Sequence, residues 1–179
     1  MKTLIVIDMQ NDFVTGALAN PEAQKIIPFI KEKIAEFRKE GRVIYTKDTH
    51  FENYLNTLEG KHLPVPHCIK DTEGWEIVDE LKPTKDEYVF YKNQFGLFDD
   101  YFERNAKIVG WEDIILDEEE EIYLCGTCTD ICVISNALII KAVCPESEVY
   151  VFKDGCAGLT KEKHEHALDV MQSCQINII

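Results

Sequence analysis

Apolar and polar positions follow two rhythms along this chain. Thr3-Leu4-Ile5-Val6-Ile7 is apolar without alternation after Thr3, as expected for a parallel strand covered on both faces. From Pro21 to Glu40 the apolar residues Ile26, Ile27, Phe29, Ile30, Ile34 and Phe37 recur at helical spacing, and Gly41 ends the run. Further strands are predicted at Val43–Thr46, Tyr88–Tyr91, Glu121–Cys125, Val149–Phe152 and Ile176–Ile179. Helices are predicted over Trp75–Leu81, Asp99–Asn105, Asp130–Val143 and Lys161–Ser173. Strands separated by amphipathic helices point to an α/β fold, a doubly wound parallel sheet with helices on both faces. No internal repeat or Gly-, Ser- or Pro-rich linker divides the chain, so residues 1–179 are read as a single domain. The acidic run Asp117–Glu121 reads as a solvated turn before a strand. Thr49–Gly74 lacks a period and holds three of the five histidines. Such long aperiodic segments inside a domain are usually functional.

Charge narrows the function. Thirty-three acidic residues against 19 basic ones give a formal net charge of −14, leaving no cationic excess to neutralise phosphates, so no nucleic-acid partner is expected. The apolar run at the N-terminus stops at Asp8, too early for a signal-peptide core or a membrane span, so no membrane partner is expected either. Seven cysteines without a secretion signal predict reduced thiols and a cytoplasmic location.

In an open parallel sheet, ligands bind beyond the carboxyl ends of the strands. Those ends carry Asp8, then Asp48 with His50, then Lys92, then Gly126 through Cys132. Cys132 falls where a helix should begin, a place that favours a thiolate. With a lysine nearby and a carboxylate to carry its proton, it forms a coherent nucleophilic triad with Lys92 and Asp8. The plainer reading of Cys132 is a small buried hydrophobe. Cys125-Gly126-Thr127-Cys128 is also a C-x-x-C between a strand and a helix, which leaves a thiol oxidoreductase as the alternative of another class. Asp48, His50 and His67 offer oxygen and nitrogen ligands suited to Zn, Fe or Mn, with Glu59 a further candidate and Glu52 a weaker one. No G-x-S-x-G, G-x-G-x-x-G or G-K-[ST] occurs, which removes serine-hydrolase, dinucleotide and P-loop readings.

The segments Leu4–Phe13, Lys47–His50, Pro66–Cys68, Lys92 with Phe95-Gly96-Leu97-Phe98, and Gly126–Val133 together resemble the isochorismatase-like cysteine hydrolases, within them the nicotinamidase branch. The resemblance implies Cys132 as nucleophile, Asp8 as proton shuttle and Lys92 as the stabiliser of the charged pair. It implies an oxyanion hole from the backbone N–H groups of Cys128 and Cys132, with a cis peptide just before Cys128. It further implies a divalent metal, zinc first, on Asp48, His50 and His67, and a substrate ring packed on Phe13 near Phe95. The implied reaction converts nicotinamide to nicotinic acid and ammonia through a thioester, feeding NAD salvage, with another small amide as the alternative substrate. Members of the family frequently form homo-oligomers. The chain departs from the branch in two places: Phe51 follows His50 directly, and Pro64, beside Leu63, stands where an aromatic is common.

Overall fold

The computed structural model describes residues 1–97, 100–102, 107–109 and 120–179. Strand β1 (Lys2–Ile7) is apolar at successive positions because it separates two cores. Leu4 and Val6 pack with Ile26, Ile30, Ile34 and Phe37 on one face, while Ile5 and Ile7 join Leu124, Val133, Ala137 and Met171 on the other. Parallel strands flank it on both sides: β2 (Arg42–Asp48) and β3 (Tyr88–Lys92) one way, β6 (Glu121–Thr127), β7 (Glu148–Ala157) and β8 (Asn177–Ile178) the other. The six-stranded order is β3-β2-β1-β6-β7-β8, every pairing parallel. Helix α2 (Pro21–Glu40) covers one face, capped by the Asn20 side chain, which accepts from the Glu22 amide. Helices α4 (Ile134–Val143) and α5 (Lys161–Ser173) cover the other. Two short helices, α1 (Asn11–Val14) and α3 (Leu58–His62), lie in the connections.

The predicted parallel α/β sheet is therefore present, and α2 and α5 have the predicted bounds. The chain winds outward in both directions from β1 and β6, so the crevice between their carboxyl ends is the topological switch point. No helix among the described residues is long and apolar enough to cross a membrane.

Several local readings are corrected. Trp75–Leu81 is not a helix but two 3-10 turns, Glu73–Trp75 and Asp79–Leu81. Between them the backbone bonds elsewhere: the Asn11 amide donates to the Glu76 carbonyl, and the Val78 amide to that of Met9. Burial of Trp75, Ile77, Val78 and Leu81 produced a helix-like spacing without a helix. In the predicted helix Asp99–Asn105, Asp100–Phe102 is instead strand β4, paired antiparallel with β5 (Lys107–Val109). Tyr101 and Phe102 are aromatic, a residue type enriched in strands, and Tyr101 pairs in register with the β-branched Ile108, preferences that compete with helix formation; Asp99 and residues 103–105 lie outside the described residues, as does Phe98. The predicted helix Asp130–Val143 opens with a π-helical turn, Thr129–Val133. Thr49–Gly74 contains a 3-10 turn, Tyr54–Asn56, and α3. Of the acidic run, residues 117–119 lie outside the described residues. Glu120, however, is buried rather than solvated, paired with Arg42 Nε and Nη2 and accepting from the Thr3 hydroxyl.

Candidate active site

Asp8 is the first residue beyond β1 and turns the chain with φ 48°, a left-handed conformation that aspartate tolerates better than most residues. Its side chain is fully buried. The Thr46 hydroxyl donates to Asp8 Oδ1 at 2.7 Å, and Lys92 Nζ lies 2.6 Å from Asp8 Oδ2. Lys92, the last residue of β3, is also completely buried and donates to Cys132 Sγ at 3.6 Å. The π turn beyond β6 presents that thiol, because its Cys128 carbonyl accepts from both Ile131 and Val133 amides and holds the turn wider than an α-helix. Parallel register thus brings Asp8, Lys92 and Cys132 together from three strand ends.

Burial drives the Asp8 carboxyl above its usual range, against the opposing pull of Lys92. Burial also disfavours the charge on Lys92, but Asp8, Cys132 and Asp48 outweigh it and keep the ammonium protonated. The Cys132 thiol is pushed well up by burial, with Lys92 opposing. Burial therefore favours the thiol form of Cys132, opposing the thiolate-favouring position at a helix start, and the Asp8 carboxyl beside it is the group placed to take its proton.

Asp48 closes β2, and Gln10 grips its backbone from both sides. The Asp48 amide donates to Gln10 Oε1 at 2.7 Å, while Gln10 Nε2 donates to the carbonyls of Asp48 at 2.8 Å and Trp75 at 2.9 Å. The Asp48 side chain meets His50 Nε2 at 3.0 Å and His67 Nε2 at 3.5 Å, and ligand atoms of all three buried residues lie within 4.8 Å of one another. Glu59 Oε1 stands 3.6 Å from His50 Nε2 and 3.9 Å from His67 Nε2. Glu52 is exposed and outside this cluster. His67 Nδ1 donates to the Val65 carbonyl at 2.8 Å, which turns the Nε2 lone pair towards Asp48. Burial works against ionisation of Asp48, yet Lys92 and the two histidines hold its carboxyl below the usual range. A carboxylate held ionised, with the Nε2 atoms of His50 and His67 converging on it, is the kind of donor set a divalent cation takes.

A cavity of about 510 Å³ opens over both clusters, lined among others by Phe13, Asp48, His67, Phe95, Cys128 and Cys132. The Phe13 and His67 rings lie 5.5 Å apart, and Leu63 forms part of the wall, where Pro64 does not. The cavity is lined mainly by carbon with charged groups at its base, as expected of a site for a small, largely apolar ligand. The peptide bond Thr127–Cys128 is cis.

The C-x-x-C pair is split between the strand and the turn beyond it. Cys125 is fully buried in the α2-side core with its thiol towards the Ile5 carbonyl, whereas Cys128 lies beyond the strand at the cavity; all seven cysteines are free. Three supporting residues escaped the sequence reading. Thr46 and Gln10 were legible only as polar positions within apolar surroundings. Tyr54 packs on the rings of His50 and His67 at 4.7 and 5.1 Å from a stretch without periodicity.

The isochorismatase domain model matches residues 2–179. An isochorismatase family protein of Bacillus subtilis, PncA, is 32% identical, the match covering 93% of this chain and 92% of that protein. A nicotinamidase/pyrazinamidase of Mycobacterium tuberculosis is 27% identical over 100% of this chain and 98% of its own length. The structure of a pyrazinamidase of Pyrococcus horikoshii in complex with zinc superposes with a TM-score of 0.81 at 30% identity, covering 99% of this chain and 98% of that one. With the family model spanning the chain from Lys2 onward, this protein belongs to the isochorismatase family.

Proposed function

We propose that this protein hydrolyses nicotinamide to nicotinic acid and ammonia through a thioester on Cys132, with a divalent cation held by Asp48, His50 and His67. The observation that carries this reading is that Lys92 reaches both Asp8 and Cys132 at the base of the same cavity that Asp48 and His67 line. The nicotinamidase relative and the zinc-bound pyrazinamidase support it.

The substrate ring lies against Phe13, near Phe95, with its carboxamide over Cys132. Asp8 takes the thiol proton as Sγ bonds to the carboxamide carbon, and Lys92 keeps positive charge beside both anionic partners. The backbone N–H groups of Cys128 and Cys132 receive the oxyanion. Asp8 then delivers its proton to the amide nitrogen, the C–N bond breaks, and ammonia leaves a thioester. In the second half Asp8 accepts a proton from water as its oxygen attacks the thioester carbon. The thiolate departs, regains the proton, and the carboxylic acid is released. Asp48, His50 and His67 would hold the divalent ion, zinc first with Fe or Mn as alternatives, and it would supply Lewis acidity towards the ring end of the substrate. The product would enter pyridine-nucleotide salvage.

Ammonia release from nicotinamide, measured with and without prior chelation and in Cys132→Ala, tests this reading. Release that disappears in the variant and weakens on chelation is the expected result. Silence towards nicotinamide with Cys132-dependent hydrolysis of another small amide would replace the substrate and retain the triad.

A further inference from the structure

Asn136 lies in the first turn of α4, four residues beyond the nucleophile candidate, and is completely buried. Its Nδ2 donates to the Cys132 carbonyl at 2.8 Å and to the Phe95 carbonyl at 3.3 Å, while its Oδ1 accepts from the Leu97 amide at 2.8 Å. Both amide protons and the carbonyl oxygen are thereby engaged, which leaves the side chain one orientation. The partners belong to two different parts of the cavity: the turn that presents Cys132, and the loop that follows Lys92 and carries Phe95.

That loop is also pressed onto α4 at Gly96, where an added Cβ would run into Ile139 Cδ1. The Phe95 ring itself is 52% exposed, so side-chain packing does little to hold it, and its backbone sets its position. We propose that Asn136 is a positioning residue that fixes the distance between the Phe95 wall and the Cys132 thiol, and so selects ring-bearing amides over small aliphatic ones. This rests on the amidase reading above, in which the ring sits near Phe95 while the carboxamide reaches Cys132. A wall displaced by a fraction of an ångström weakens ring binding without altering the thiol.

Site-resolved alkylation of Cys132 by iodoacetamide, read by mass spectrometry with increasing nicotinic acid as protecting ligand, separates the two effects. The unprotected rate reports the nucleophile, and the protection midpoint reports ring binding. In Asn136→Leu, which keeps the bulk and removes the hydrogen bonds, the midpoint is expected to rise about tenfold, more than the unprotected rate falls. Gly96→Ala leaves Asn136 intact and crowds the same loop against Ile139 of α4, and is expected to raise the midpoint in the same direction but by less, because the end of the Ile139 side chain can turn aside. Adding Ile139→Val, which removes the colliding methyl, should restore it. A midpoint unchanged in both single variants, with wild-type ammonia release from nicotinamide intact, overturns this inference alone. Absence of both protection and ammonia release in the wild type overturns the substrate reading first. A drop in the unprotected rate with an unmoved midpoint confines Asn136 to the nucleophile's turn and also overturns the proposal.

Discussion

Lys92 Nζ lies 2.6 Å from Asp8 Oδ2, and neither side chain reaches solvent. One is the end of β3 and the other the residue after β1, so the contact exists only once β2 has paired between them. An ion pair this deep costs more to break than it contributes to stability, because removing one partner strands a charge.

Lys92→Met is accordingly expected to lower folding stability by about 3–5 kcal/mol. Urea unfolding checks this, with the Asp8→Asn/Lys92→Met double variant expected to recover part of the loss. A single variant as stable as the wild type would contradict the buried pairing.

Gln10→Leu leaves the Asp48 amide and carbonyl without their buried partner. A loss of about 1–3 kcal/mol in stability is expected. Because Gln10 also holds the backbone that carries the Asp48 carboxylate, zinc affinity measured by titration calorimetry should fall about 10- to 100-fold. Unchanged affinity would show that Asp48 needs no such support.

Zinc added to the chelated protein should raise its thermal unfolding midpoint, since a ligand that binds only the folded state stabilises it by mass action. The rise is expected to vanish in His67→Ala and to be reversed by chelator in the wild type. An equal shift in His67→Ala would place the ion elsewhere.

The pH profile follows from Asp8. Its carboxyl is raised above the usual range by burial, so on acidification it is protonated sooner than a surface aspartate and stops accepting the Cys132 proton. Lys92 stays charged throughout that range. Ammonia release from nicotinamide should therefore already be falling above pH about 4, the titration range of an ordinary aspartate. A rate that stays flat to that point would count against Asp8 as the base. At neutral pH the resting protein should also show no Cys132 thiolate by ultraviolet absorbance, because burial favours the thiol.

Much of this protein was legible in the order of its residues. Continuous apolar runs marked parallel strands, helical spacing marked α2 and α5, and the residues just past the strands named Asp8, Asp48, His50, Lys92 and Cys132. Strand ends are readable because burial on both faces removes polar residues from a strand until the chain leaves the sheet. Local pattern failed where backbone partners were distant. Trp75–Leu81 has helical spacing but bonds to the segment around Met9 and Asn11, and Glu120 looked solvated although Arg42 and Thr3 enclose it. Thr46, Gln10, Tyr54 and Asn136 have no signature of their own, because each acts through a partner far along the chain or through a carbonyl that composition cannot reveal. Sequence by itself determined which chemical groups stand at which strand ends. Only the tertiary structure decided which of them meet, because parallel register and the turn after β6 set the distances on which proton transfer and metal binding depend.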